Sequence, residues 1–500
     1  MNVRGLVSRI PQLRSILSEI SELSHRSRSL RLPINPHRAL CALIVLALAN
    51  VLWAGDKPAQ VRHTIIAQSG TAAPSGENYV ALIDPPVSNE RGEVAFDAFL
   101  GGPNHSGIFV NRGKTTSAFA LGGNLAGGQF QFVFSPTLTS RGDAIFFSDL
   151  GIFRADGKHT VPLVHNGDPA PGGGSLTPSS NFVANPRGVI AYNGFVTGGE
   201  SSDGIFRTEG AHTVAIAFDG AAAPTGGNFN FFGAPVIDER GRVAFTAGMD
   251  GGSADFALFR GDGETLTTVF AANQPAPGGG TFQDFGTPAM NEHGEVLALA
   301  LLNKQEGPIG LFLGNGKDTV AIALSGGAAP KGGSYCRPTD PGCPSAVQFP
   351  TTNVLNDRGQ AAFTVFLTGG NSRSGIFRGD GRKTVAIALE GTEAPGTASV
   401  FDSFVDLRMD EDGRVIFIGR LALGVGGVDT SNNVGIWVGQ SEEDLQLVAR
   451  TGQIIDGKTL IGFQALGQPG NDRKVIWVAR FAPFTTAIIS SALDCESDQN

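Results

Sequence analysis

The stretch DERGRVAFTAGMDGGSADFALFRGDGETLTTVFAANQPAPGGG, residues 238–280, carries the reading of the fold. Its apolar runs VAFTA, ALFRG and TVFAA are short and bounded by glycine, the signal of strands rather than helices. Asp238 and Gly241 frame a tight turn before the first run. An aspartate or asparagine can hydrogen-bond its own backbone two residues on, and glycine supplies positive φ. Asp262-Gly263, between the second and third runs, is a strong hairpin signal. The Pro/Gly string from Pro275 then leads onward.

The same sentence recurs along the chain. Its opening phrase appears as NERGEVAF from Asn89, TSRGDAIF from Thr139, NPRGVIAY from Asn185, NEHGEVLA from Asn291, NDRGQAAF from Asn356 and DEDGRVIF from Asp410. A worn eighth copy, NDRKVIWVARF, starts at Asn471. The second phrase returns as GIFVNRG at Gly107, GIFRADG at Gly151, GIFRTEG at Gly204, GLFLGNG at Gly310, GIFRGDG at Gly375 and GIWVGQS at Gly435. From Asn89 to Asp410 the period is about 53 residues. With the strand that leads into each Asn or Asp, every unit has four antiparallel strands and no long helix. Four strands per repeat is the pattern of a propeller blade. The fold class is therefore all-β, a β-propeller of about eight blades over residues 61–492. The count rests on a weak second unit (115–157) and the worn eighth, so seven blades is the alternative.

The longest link, the Pro/Gly loop, should join blades. The TVAIA-type strand is then outermost, and each new blade begins near an F-x-x-F segment such as Phe229–Phe232, Phe282–Phe285 or Phe401–Phe404. In this register the last unit has strands near Phe463, at 475–480 and at 486–490, and lacks an outer one. His63-Thr64-Ile65-Ile66-Ala67 is a spare strand at the chain start, so the two ends are expected to close the ring together. The Asn-x-x-Gly and Asp-Gly turns fall on one face. The Pro/Gly and Gly-Gly loops fall on the other, where longer, more varied loops favour binding.

The N-terminus is a separate object. Residues 1–38 carry seven arginines and two acids, and residues 39–54 read ALCALIVLALANVLWA without charge. A basic stretch, an apolar run and small residues form a secretory signal pattern. The apolar run is short for a membrane span, which needs about 20 residues. The expectation is export, to periplasm, cell surface or medium, with this segment either cleaved or kept as a tether. Residues 493–500 are expected to be a disordered tail. The net charge of −9 argues against nucleic acid as a partner. Gly at 70 and Phe at 34 of 500 residues fit tight turns around a packed interior.

With these phrases in hand, the units resemble the tandem Asn-x-x-Gly…Ala-Phe repeats of bacterial exported proteins that carry varied surface anchors. They are also similar to the bacterial extracellular repeats of the G-I-N-x-x-G kind. The resemblance covers residues 61–492. It implies export and a β-propeller-like fold, and it implies no assigned activity. The chain departs from anchored members in ending SALDCESDQN, without an apolar C-terminal anchor.

Few residues suggest chemistry. Cys336 and Cys343 lie in SYCRPTDPGCPS, within the insertion that stretches the step from Asn291 to Asn356 to 65 residues. In an exported protein they read as a small disulfide loop. Free thiols are the alternative, and zinc lacks a CxxC or a nearby histidine. Cys41 lies in the export segment and Cys495 near the end. Arg260-Gly261-Asp262 and Arg378-Gly379-Asp380 spell an adhesion tripeptide but occupy a repeat position. Gly113-Lys114-Thr115 is likewise repeat, not a phosphate loop. Asp410-Glu411-Asp412-Gly413 lacks the full ligand string of a calcium loop. There is no G-x-S-x-G or HExxH. His63, His105, His159, His165, His212 and His293 are scattered over different units. No catalytic or metal residues and no cofactor are assigned. The expected function is non-catalytic binding of an extracytoplasmic glycan or protein by a monomer. The alternative is a polysaccharide hydrolase or lyase with its site at the axis.

Overall fold

A computed structural model describes residues 61–123, 130–303, 309–343, 354–470 and 473–493. The expected basic region and export segment, with Cys41, lie outside the described residues; of the expected 493–500 tail, Leu493 ends the last strand and residues 494–500, with Cys495, lie outside them too. The described residues form eight antiparallel sheets in a ring, an eight-bladed propeller. We number the blades along the chain as 78–123, 133–165, 168–218, 228–271, 282–324, 334–389, 401–450 and 454–493. The strand Val61–Gln68 is the outermost strand of blade 8, antiparallel to Thr485–Leu493, with Ile65 opposite Ile489. The ring closes as the sequence indicates.

The repeating dipeptide Ile-Phe has a geometric cause. Neighbouring residues of a strand point to opposite faces of a sheet. In Phe256–Gly261 of blade 4, Leu258 packs into the core shared with blade 5, while Phe259 packs into the core shared with blade 3. Ile108, Ile205, Ile376 and Ile436 likewise join the core of the following blade. On the other side, three aromatic rings pack together at one level of most blades. Phe229, Phe245 and Phe259 are one such set, with the Phe229–Phe259 centroids 5.3 Å apart. Phe401, Phe417 and Trp437 are another, at 4.9 Å between the first and last. These sets account for much of the phenylalanine. The glycine before each Ile-Phe is required by close approach: a Cβ at Gly310 would sit 2.5 Å from the Phe312 ring.

Two local features were not legible. The inner strand is broken in blades 1, 4 and 5. In blade 4, Asn228–Phe232 and Val236–Ile237 both pair with Val243–Asp250, on either side of a bulge and Pro235. Proline cannot donate to a ladder, so it marks the break. The Cys336–Cys343 insertion interrupts the inner strand of blade 6. Cys336 N donates to Phe366 O, and the strand resumes where Ala362 N donates to Val354 O.

Candidate functional site

The Asn-x-x-Gly turns meet at one mouth of the central channel. In blade 1 the Asn89 carboxamide oxygen accepts from Arg91 N and Glu93 N, and Gly92 adopts φ 71°. The Asn89 amide then reaches the next blade and donates to Thr139 O at 3.1 Å. Asn185 donates to Asp238 O at 2.9 Å, and Asn291 to Asn356 O at 3.3 Å. Buried side chains thus cap their own turn and tie it to the neighbouring one.

In blades 1 to 7 the next residue of the turn lines the mouth. Glu90, Glu239, Glu292, Asp357 and Glu411 line a mouth of about 340 Å³, together with Ser140 and Pro186. A second cavity of about 590 Å³ continues the channel and shares Val87, Thr137, Ile237 and Met290 with the mouth. The acids interlock: Glu292 N donates to Asp357 Oδ1 and Asp357 N to Glu411 Oε2, both at 2.9 Å. A hydrogen bond that the protonated Glu292 carboxyl donates to Glu239, then desolvation and the charge of Asp357, push Glu292 up to about 7. Glu411 is pushed up to about 7 by its sheltered carboxyl and by the charges of Asp357 and Glu292. Crowded like charges favour the protonated form.

The sequence reading did not single out this ring. Its signal is present, since the second residue of the phrase is acidic in six of eight copies: Glu90, Glu239, Glu292, Asp357, Glu411 and Asp472. Asp472 lies outside the described residues. Only the placement of these turns at the axis turns a scattered composition into a site.

The other motifs resolve into scaffold. Arg260 Nη1 donates to Gly294 O of the next blade and Nη2 to Asn315 O, while Asp262 caps its own hairpin through Glu264 N and Thr265 N. Arg378 reaches Gly413 O, and Asp380 caps Arg382 N and Lys383 N. Both adhesion-like tripeptides are blade staples and turn caps. Lys114 sits in the hairpin between Asn104–Arg112 and Thr115–Gly123. Asp410 pairs with Arg414, and Asp412 with Arg358 and Arg473. Cys336 and Cys343 are joined, their Cα atoms 5.8 Å apart. Among the described residues, His63, His105, His159, His165, His212 and His293 sit on blades 8, 1, 2, 2, 3 and 5 and do not converge.

No curated protein sequence matches the chain significantly. Among solved structures it is similar to a Mycobacterium tuberculosis puromycin-hydrolyzing peptidase, at 13% identity and TM-score 0.41, covering 85% of this chain and 62% of that one. It is similar to Porphyromonas gingivalis dipeptidyl peptidase 4, at 11% and 0.45, covering 84% and 58%. The chain thus spans about three fifths of the length of these two peptidases. Polysaccharide lyase Uly1 matches at 9% and 0.37, over 88% of this chain and 100% of that one. A sequence profile matches residues 48–337 and again 308–460, and by that match the chain belongs to a family of unknown function, DUF7453.

Proposed function

We propose that the chain is an exported, non-catalytic binding propeller whose ligand docks at the acid-lined mouth of the channel. One observation carries this reading: five blades place a carboxyl group at the same repeat position around one opening. Asn89, Asn185 and Asn291 tie their turns to the next blade, and Ser140 and Pro186 hold the acidic position in blades 2 and 3, so the fold does not require an acid there. Such a rim favours a ligand rich in hydrogen-bond donors and positive charge, so a protein partner with a basic segment fits better than a neutral glycan. Export is supported by the basic and apolar start of the sequence. The test is titration of the immobilised full chain with oligolysine and with neutral oligosaccharides at low and high salt. Salt-sensitive oligolysine binding that falls in a Glu292→Gln/Glu411→Gln variant supports the reading. Binding indifferent to both salt and the substitutions overturns it.

A further inference from the structure

Blade 1 departs from the repeat at two facing positions. Counted from the first residue of the turn, these lie five residues before and eight after. In blade 4 they are Gly233 and Thr246, with Gly233 N donating to Thr246 O at 2.8 Å. In blade 5 they are Gly286 and Leu299, with the same bond at 2.9 Å. The later position holds Phe147, Asn193, Thr364 and Ile418 in blades 2, 3, 6 and 7. In blade 1 the two are Asp84 and Asp97. The scaffold tolerates Gly, Thr and Leu here, so it has no need of two acids.

The pair sits in a cleft of about 200 Å³ between blades 1 and 2. Asp97 is only 9% exposed and its Oδ2 accepts from Ser135 N at 3.2 Å. Its carboxyl also hydrogen-bonds Asp84, which lines both this cleft and the channel. Burial, then the charge of Asp84, pushes Asp97 up to about 7. No lysine or arginine lines the cleft among the described residues, so the negative charge of the pair has no counter-charge there. The walls are apolar and open: Ile83 is 41%, Phe99 50% and Phe132 41% exposed, and Phe132 stacks on Phe134 at 5.6 Å. A compact pocket of aromatic faces around a few placed polar groups is the form of a small-molecule site.

We propose that the cleft between blades 1 and 2 binds an organic cation, an ammonium group on a compact apolar body. The ammonium sits against Asp84 and Asp97, and the body lies on Phe99 and Phe132. Aromatic faces attract such cations as well as their carbon. A hard metal ion is a poor fit, because it asks for six or more oxygen ligands and the walls are carbon. The site is distinct from the channel mouth and stands whether or not that mouth binds a partner.

The experiment is calorimetric titration of the full chain with choline and n-butylammonium, against 3,3-dimethylbutanol as the neutral isostere of choline. The cations are expected to bind at least about tenfold more tightly than the alcohol. Asp97→Asn, which keeps an acceptor for Ser135 N, should weaken them about tenfold, as should Phe132→Ala, which leaves both acids in place. A thermal melt of each variant checks that it is folded. Equal binding of the alcohol and the cations, no cation binding, or full affinity in folded Asp97→Asn overturns the proposal. Asp84→Asn serves in its place should Asp97→Asn fail to fold, with the same expectation.

Discussion

His63 Nδ1 lies 2.9 Å from Ser491 Oγ, across 428 residues of sequence. The Gln453 amide donates to His63 Nε2 at 3.3 Å, so that nitrogen accepts, and Nδ1 donates to the Ser491 hydroxyl, which also accepts from the Trp477 indole at 2.8 Å. The bond therefore uses a neutral His63, and burial lowers the pKa of that ring. Below the ordinary value of 6.5 the unfolded chain takes up a proton that the closed ring resists, so closure loses stability as the pH falls. Protection of the amides in residues 61–68, taken relative to the intrinsic exchange rate at each pH, should fall between pH 7.5 and 5.5 more than in the matching outer strand, Thr384–Leu389. An equal fall in both strands would contradict this.

Closure should also depend on the first strand as a whole. Ile65 packs into the core between blades 7 and 8, and Ile66 into the core between blades 8 and 1. Each contributes about 1–2 kcal/mol by burial. A chain beginning at Gly76 should melt well below one beginning at Lys57 and should aggregate through the exposed edge. Thr64 and Ser490 are Cα partners, and cysteines at both should crosslink within the monomer.

Asp97 predicts the opposite pH trend. Between its unfolded value of 3.8 and about 7 it is protonated in the fold and ionised in the unfolded chain. Its contribution is therefore present at acid pH and lost as the pH rises through 7. Asp97→Asn should raise stability at pH 8 by on the order of 2–4 kcal/mol, and should flatten the melting profile from pH 4 to 7.

The tripeptide at Arg260 predicts a structural phenotype. Removing its guanidinium leaves Gly294 O and Asn315 O of the next blade without their donor. Arg260→Ala should cost about 1–3 kcal/mol. Adhesion of the native protein to cells that bind RGD peptides should stay at background, because Asp262 is held in its own turn.

The joined cysteines close a loop of about eight residues, which in the chain-entropy view contributes about 2–3 kcal/mol. Cys336→Ser/Cys343→Ser should lower the melting temperature by a few degrees without unfolding the ring. Alkylation of both thiols in the unreduced native protein, read by mass spectrometry, would show that the pair is not joined there.

Much of the architecture was legible because a repeat states its rule many times. The Asp262-Gly263 turn, the Ile-Phe alternation and the spare strand at His63 each follow from local chemistry written in consecutive residues. The candidate sites were less legible because they arise between repeats. Glu292 and Glu411 are 119 positions apart and look like ordinary turn residues until the ring brings their turns to one opening. Asp84 and Asp97 are close in sequence, yet their meaning lies in what the other blades hold at those places. The broken inner strand depends on a bulge and on Pro235, and the insertion at Cys336 on where that strand runs. A one-dimensional period does not encode either.

Pairing Val61–Gln68 with Thr485–Leu493 also sets a timetable. The first of these strands to leave the ribosome must wait for the last. At about 5–20 residues per second, the wait for some 400 intervening residues is roughly 20–80 seconds. Blades 1 to 7 can stack in order during that interval, but the eighth is assembled only once Thr485–Leu493 has emerged. The ring is thus a late product, and conditions that stall the chain before Thr485 leave a stack with two open flanks.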